Sequence, residues 1–335
     1  MSPAAGLERA AAASIHRLAI PTPFAVGRVN CYLIEDDPLT LVDSGPNSGK
    51  ALDELQRALA DRGRSIEELE LLVITHQHID HLGLVDILAR RSGADVAALD
   101  RLVPFLEHYG EETEADDEFS EALMRRHGIP DEMVAALRSV SRSFRAWGAG
   151  AHVTRPLTDG GRLELRDRTL EVLHRPGHSP SDTLFWDAER AILLAADHLI
   201  AHISSNPLIS RPLGGADPGA PRPRALMTYL ESLRATREMS AELVLPGHGD
   251  PVLHHVTLID ERIAMHERRA RKIGLLIAEG PCTAHEIAHS LWGNVAVTQA
   301  YLTLSEVLGH VDLLLDRGEV REVEQSGVVR FEAAA

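Results

Sequence analysis

The sequence predicts an α/β fold, and three observations predict it. Short apolar runs of strand length alternate with segments whose apolar residues recur at helical spacing. The run at 71–75 (LLVIT) passes directly into a histidine-rich loop and then into a helical segment, the strand–loop–helix order of open α/β sheets. Pro-Gly turns close two further strand candidates, in RPGH and LPGH.

Taken in order, residues 16–20 and 30–35 have strand character, as does 39–43 (LTLVD), which ends at Ser-Gly-Pro. Leu52, Leu55 and Leu59 mark a helix over 48–62 that stops near Gly63. After the strand at 71–75, a helix is expected over 83–91. Residues 100–147 carry an acidic run, including Glu111, Glu112, Glu114, Asp116, Asp117 and Glu118, followed by amphipathic stretches. Two readings stay open there: a solvated helical face, or a helical insert at about 100–150 that covers a site. Strand alternation resumes at 161–174, with shorter strands at 183–186 and 191–195. Residues 206–224 form a Pro- and Gly-rich loop, followed by a helix at 224–238 and a strand at 243–245. From about 255 the pattern changes to helices at 255–279, around AHEIAHSLW and at 298–317, then two short strands at 319–323 and 327–331. Three helices and a hairpin make a winged-helix pattern. The expected division is therefore 1–255 and a small winged-helix-like unit at 256–335.

Composition narrows the function. A chain of 335 residues with 44% hydrophobic and 25% charged residues can bury a full core. A net charge of −16 disfavours a broad nucleic-acid or anionic-membrane surface. Two cysteines, Cys31 and Cys282, far apart in sequence, exclude a disulfide framework and a cysteine-based structural zinc site. The Ala-rich start is broken by Glu8, Arg9 and Arg17, and no apolar run spans a bilayer, so a cytoplasmic protein is expected.

The 18 histidines are the sharper clue, because several cluster. His76-Gln77-His78-Ile79-Asp80-His81 packs three imidazoles and a carboxylate into six residues. Neutral imidazoles and carboxylates are ligands for zinc and neighbouring first-row metals, and a loop can fan such side chains around adjacent ions. Three more segments each end a strand candidate with a ligand-capable residue: His178 in RPGHSPSD, Asp197 in LAADHL and His248 in LPGHGDP. Alone, each is a weak signal.

Together, THQHIDHLG, PGHS, AADHL and PGHG resemble the ordered motif set of the metallo-β-lactamase superfamily, and within it the glyoxalase II-like and lactamase-like endoribonuclease branch. The resemblance covers roughly residues 16–255, and the winged-helix-like tail recurs in that branch. It implies an αββα sandwich with two metal ions in a cleft at one edge. Carried over by position, it implies His76, His78 and His178 on one ion, Asp80, His81 and His248 on the other, and Asp197 between them. Asp43 of LVDSG matches a family aspartate that supports the ligands from behind, although it also suits a simple turn after a strand. The cofactor implied is a pair of zinc ions, and the donors also suit manganese or iron. A hydroxide shared by the two ions would attack the substrate, with Asp80 orienting it and relaying its proton.

Tyr109, His127, His198, Asn206 and Arg211 are candidates for contact with substrate, by their position in the insert or beside Asp197 and the Pro/Gly loop. The helix at 298–316 carries no Lys or Arg, which argues against a groove-reading role. We therefore expect this tail to pack on the catalytic unit or on a second copy in a homodimer. The leading expectation is a hydrolase of a small ester, thioester or lactone. A phosphodiesterase or ribonuclease, an iron-dependent oxidoreductase of the same fold and a binding module without catalysis are the alternatives.

Overall fold

The computed structural model describes residues 2–215 and 221–334, so part of the Pro/Gly-rich loop (216–220) lies outside the described residues. The chain begins with α1 (Pro3–Ala12), β1 (Ile15–Ile20), β2 (Val29–Ile34), β3 (Thr40–Val42) and α2 (Gly49–Ala60). There follow β4 (Leu71–Ile74), α3 (Ile79–Leu82), α4 (Val85–Ser92) and β5 (Asp95–Leu99). A helical segment comes next, with α5 (Val103–Glu107), α6 (Tyr109–Arg126) and α7 (Asp131–Phe144). The strands β6 (Arg155–Leu157), β7 (Arg162–Glu164), β8 (Thr169–His174), β9 (Thr183–Asp187) and β10 (Ile192–Ala196) lead to α8 (Ala225–Arg237) and β11 (Leu243–Pro246). The chain closes with α9 (His255–Ala278), α10 (Ala284–Trp292), α11 (Val295–Thr298), α12 (Ala300–Asp316) and the hairpin β12 (Val320–Gln325) and β13 (Val328–Ala333).

Two sheets form the centre. One runs β1-β2-β3-β4-β5-β6 and the other β11-β10-β9-β8-β7. Alternation along the strands decides what faces what. Val42, Leu71, Val73, Ile192 and Leu194 point into the layer between the sheets. Leu41, Leu72 and Ile74 point outward against α2 and α4, through Leu55, Leu59 and Leu88. On the other sheet Leu193, Ala195 and Trp186 point outward against α8, α9 and α12. The architecture is an αββα sandwich. Both faces are buried along β2, β3, β4, β9, β10 and β11, and apolar runs such as LLVI and ILLAA follow from that, whereas β7 and β8 keep one exposed face and alternate.

Several expectations need adjustment. The helix expected over 83–91 is α4, preceded by a separate short helix, α3, inside the histidine loop; the two are distinct because the Leu84 amide donates to the Gly45 carbonyl instead of continuing α3. The run at 161–174 is two antiparallel strands, β7 and β8, joined by a turn closed by Leu165 N donating to Arg168 O. The sequence reading missed β5. Its DVAAL has little strand propensity, and parallel ladders to β4 and β6 impose the conformation. The acidic run of α6 is solvated only in part: Glu111 and Glu118 are exposed, while the others are half-buried or buried. Glu114 pairs with Arg138, Arg142 and Arg145, and Asp117 with Arg145.

The tail does not have a core of its own. Ile273 of α9, Val307 and Leu308 of α12 and Phe331 of β13 join one cluster with Leu193 of β10 and Leu230 of α8. Residues 303–314 of α12 are all buried. No helix among the described residues is long and apolar enough to cross a membrane.

Candidate metal centre

β3, β4, β8, β10 and β11 all run in one direction: β3 is parallel to β4, β10 is parallel to β11, β8 is two antiparallel steps from β10, and across the sheets the antiparallel bridge of Val29 to His248 sets β2, itself antiparallel to β3, against the end of β11. Their C-terminal ends therefore share one edge of the sandwich. Asp43 follows β3, the HQHIDH loop follows β4, His178 follows β8, Asp197 follows β10 and His248 follows β11. The two sheets are stitched together there. Asn30 N donates to Gly247 O at 2.6 Å, and Thr183 N to Thr75 O at 3.0 Å. The Gln77 side chain accepts from the Ser179 and Ser181 hydroxyls, tying the HQHIDH loop to the PGHS loop.

The structure brings all seven expected ligands together, in overlapping groups whose donor atoms lie within 4.8 Å of one another: His76/His78/His178, His76/His81/Asp197 and Asp80/His81/His248. His78 Nδ1 lies 3.1 Å from His76 Nε2 and 2.9 Å from His178 Nε2. Asp197 carboxylate oxygens lie 3.5 Å from His81 Nε2, 3.6 Å from His178 Nε2 and 3.5 Å from His248 Nε2. Asp80 Oδ2 is 3.3 Å from His248 Nε2.

The outward nitrogens decide which proton each ring keeps. His248 Nδ1 donates to Arg28 O at 2.9 Å, His178 Nδ1 to Asn206 O at 3.1 Å and His81 Nδ1 to Asp43 Oδ2 at 2.7 Å. A carbonyl or carboxylate only accepts, so each of these rings keeps a proton on its outer nitrogen and turns its other nitrogen inward, where it can ligate once free of a proton. His76 Nδ1 sits 3.0 Å from the Thr75 hydroxyl, which itself donates to Asp43. This outer pinning is the arrangement of metal-ligating histidines. Inside the ring of donors, His81 Nε2 and Asp197 Oδ1 are buried with no hydrogen-bond partner. Orphaned atoms of this kind are costly unless a cation satisfies them. The donor set fits divalent metal.

Electrostatics divide the imidazoles: burial lowers His81 and His248, but Asp43, Asp197 and Asp80 outweigh it at His81, and Asp197 and Asp80 at His248, so both are raised above the ordinary value and a metal ion would displace a proton from each inner nitrogen. Burial, followed by repulsion from neighbouring imidazoles, holds His76 well below its ordinary pKa and lowers His78 to about 3, so both are neutral ligands. Burial raises the Asp197 and Asp80 carboxyls, but the surrounding histidines outweigh it and keep both ionised.

Close packing leaves no slack. A Cβ on Gly247 would lie 2.2 Å from Asp197 Oδ1 and 2.8 Å from His81 Cε1. One on Gly177, whose φ is +148°, would lie 2.4 Å from the Tyr229 backbone. Both glycines of the PGH motifs are therefore needed for close approach as well as for a turn.

The lesser candidates are placed differently. His127 stacks on Phe331 at 6.0 Å and 12°, and its carbonyl accepts from His285 N; it belongs to the packing of the tail. His198 is fully buried, with Nε2 at 2.9 Å from the Thr236 hydroxyl, so it does not line a cleft. Tyr109 donates its hydroxyl to Arg145 O. Arg211 is held by Glu112 and Asp116 and is not a free anion receptor. Asn206 reaches His178 through its main-chain carbonyl, while its side chain donates to Leu302 O. Sequence reasoning missed Thr75 and the carbonyls of Arg28 and Asn206. Thr75 was legible in principle, as a hydroxyl beside the first histidine. The carbonyls carry no residue signature.

The model of the metallo-beta-lactamase superfamily matches residues 25–248, and the chain belongs to that family. It is 30% identical over 312 residues to the probable metallo-hydrolase YqjP of Bacillus subtilis, covering 93% of this chain and 95% of that protein. It is similar to the metallo-beta-lactamase family protein TTHA1429 of Thermus thermophilus, with a TM-score of 0.79, 26% identity and coverage of 96% of this chain and 98% of that one. More distantly, it is 20% identical over 267 residues to the atrochrysone carboxyl ACP thioesterase of Aspergillus fumigatus, covering 76% of this chain and 65% of that protein. The fold and family thus define a metal-dependent hydrolase.

Proposed function

We propose that this protein uses two zinc ions to cleave a small ester, thioester or lactone. The observation that carries this is the set of inward-facing ring nitrogens of His81, His178 and His248, whose outer nitrogens are pinned by acceptors, around the ionised Asp197. His76, His78 and His178 would hold one ion and Asp80, His81 and His248 the other, with Asp197 shared. All donors are nitrogen or oxygen and number enough for two ions, which suits zinc. When bound, such ions supply a water that ionises near neutral pH and positive charge opposite the developing oxyanion.

The chain's own residues do the rest. Asp80, with Oδ2 facing His248 Nε2 at 3.3 Å, stays ionised and accepts the proton released as water attacks the acyl carbon. Asp43 and Thr75 keep His81 and His76 in the tautomers that ligate. The thioesterase named among the relatives supports an acyl substrate. Residues 256–335 serve the catalytic unit structurally. The face that would read a nucleic-acid groove, α12, is buried along 303–314.

The test is metal analysis of purified protein, followed by a panel of thioesters, lactones and a bis-aryl phosphodiester. Two equivalents of zinc and turnover confined to acyl substrates are expected. Turnover of the phosphodiester alone, or one equivalent of iron, would overturn the assignment.

A further inference from the structure

We infer that α12 positions the metal centre, through a strap of chain at 204–211 that it holds against His178 and Asp197. This rests on the metal reading given above. Residues 204–211 belong to no helix or strand, so no ladder sets where their main chain lies. Yet that main chain makes contacts the site depends on. Asn206 O takes the Nδ1 proton of His178 at 3.1 Å, and the Ser205 hydroxyl donates to the carbonyl of Asp197. The strap thus sets the ring orientation of one ligand and the backbone of another.

The strap is in turn fastened from the tail. The Asn206 amide donates to Leu302 O at 3.1 Å, the Tyr301 hydroxyl donates to Ile209 O, and Ile209 N donates to the Ser305 hydroxyl at 3.3 Å. Three successive fastenings therefore come from one turn and a half of α12. A fourth comes through α9. His310 Nδ1 donates to Glu306 O at 2.6 Å, which leaves its Nε2 to accept from His266 Nδ1 at 3.1 Å. His266 Nε2 is then left to accept from the Ser204 hydroxyl at 3.4 Å. The donor atoms of His266, Glu306 and His310 lie close enough to hold an ion. However, every ring nitrogen already has a hydrogen-bond partner, and Arg269 occupies Glu306. The cluster works as a chain of hydrogen bonds ending on the strap.

Tyr301 and Asn206 are accordingly positioning residues: neither donates to a metal, and both act through the His178 contact. Partners behind metal ligands are worth roughly 10–100-fold in metal affinity. The experiment is the double variant Tyr301→Phe/Asn206→Ala, which removes two fastenings and keeps the Asn206 carbonyl in the chain. Protein loaded with cobalt is followed by its visible spectrum, and zinc-loaded protein by ion transfer to a chromophoric chelator. Arg317→Ala, which breaks a half-exposed pair between the residue that follows α12 and Glu267 of α9, is the control.

A changed cobalt spectrum is expected, with one of the two ions released roughly tenfold faster or more, while the control matches the parent. An unchanged spectrum with parental release rates would overturn the inference while leaving the metal reading intact. A parent protein that binds fewer than two ions would overturn the metal reading, and the inference with it. Should the double variant fail to fold, Asn206→Ala alone carries the same measurement.

Discussion

Asp43 Oδ2 lies 2.7 Å from His81 Nδ1, with both side chains buried and 38 positions apart in the chain. The same carboxylate accepts from the amide and hydroxyl of Thr75, beside His76. It is held at φ +60°, a conformation that costs about 1–3 kcal/mol for a residue other than glycine. One acid thus steers a histidine assigned to each ion. Asp43→Asn keeps the size but turns one oxygen into a donor. We expect metal affinity to fall by roughly 10–100-fold, measured by competition with a chelator, while far-ultraviolet circular dichroism stays at the parental level.

Gly247→Ala tests the close approach at the other sheet. The added methyl meets Asp197 Oδ1 and the His81 ring, both buried. The expected outcome is a protein that folds but retains less than one equivalent of metal after dialysis. Retention of two equivalents would show that the strand end yields more than its packing implies.

His78→Ala removes the nitrogen that lies between those of His76 and His178. Hydrolysis of the best thioester or lactone should drop by at least about 10³-fold, since an essential metal position is lost. The melting temperature of metal-free protein should hardly move, because the neutral His78 ring faces the other ligands, His76 and His178, and belongs to no hydrophobic cluster. Full activity in this variant would sink the scheme.

Removal of metal should also destabilise the folded state. Ligands that bind only the native state add RT ln(1 + [L]/Kd), about 2.7 kcal/mol at a concentration a hundredfold above Kd. Chelation should therefore lower the melting temperature, and added zinc should restore it. An identical melting curve with and without chelator would mean that the orphaned His81 Nε2 and Asp197 Oδ1 are satisfied some other way.

His127 gives the acid limb of stability a defined contributor. Burial, then the charges of Arg222 and Arg126, lower its pKa from 6.5 to about 3. Between those values the unfolded chain binds the proton and the folded chain does not, so stability falls as pH drops below 6.5. His127→Phe keeps a ring on Phe331 and should flatten the slope by up to about 1.4 kcal/mol per pH unit. Denaturant titrations of metal-free protein at about pH 4.5, about pH 5.5 and about pH 7 measure it. Parallel pH profiles for parent and variant would refute the assignment.

Much of the site was legible in the residue string. His76, His78, Asp80, His81, His178, Asp197 and His248 are ligand-type side chains placed just beyond apolar runs, and their order identified the family before any coordinates. The misplacements followed from what a string does not contain. Arg211 looked like a free cation, until the fold set it beside Glu112 and Asp116 of α6. His127 and His198 looked available for substrate, until packing buried them against Phe331 and Thr236.

By itself the sequence determined which atoms can bind metal, which runs make strands and which turns end them, because side-chain chemistry and apolar period are local properties. Tertiary structure alone decided that five strand ends meet at one edge, that Arg28 O and Asn206 O pin His248 and His178, and that α12 holds the strap at 204–211. Every residue has a carbonyl, so only the packing of distant segments determines which one a histidine finds.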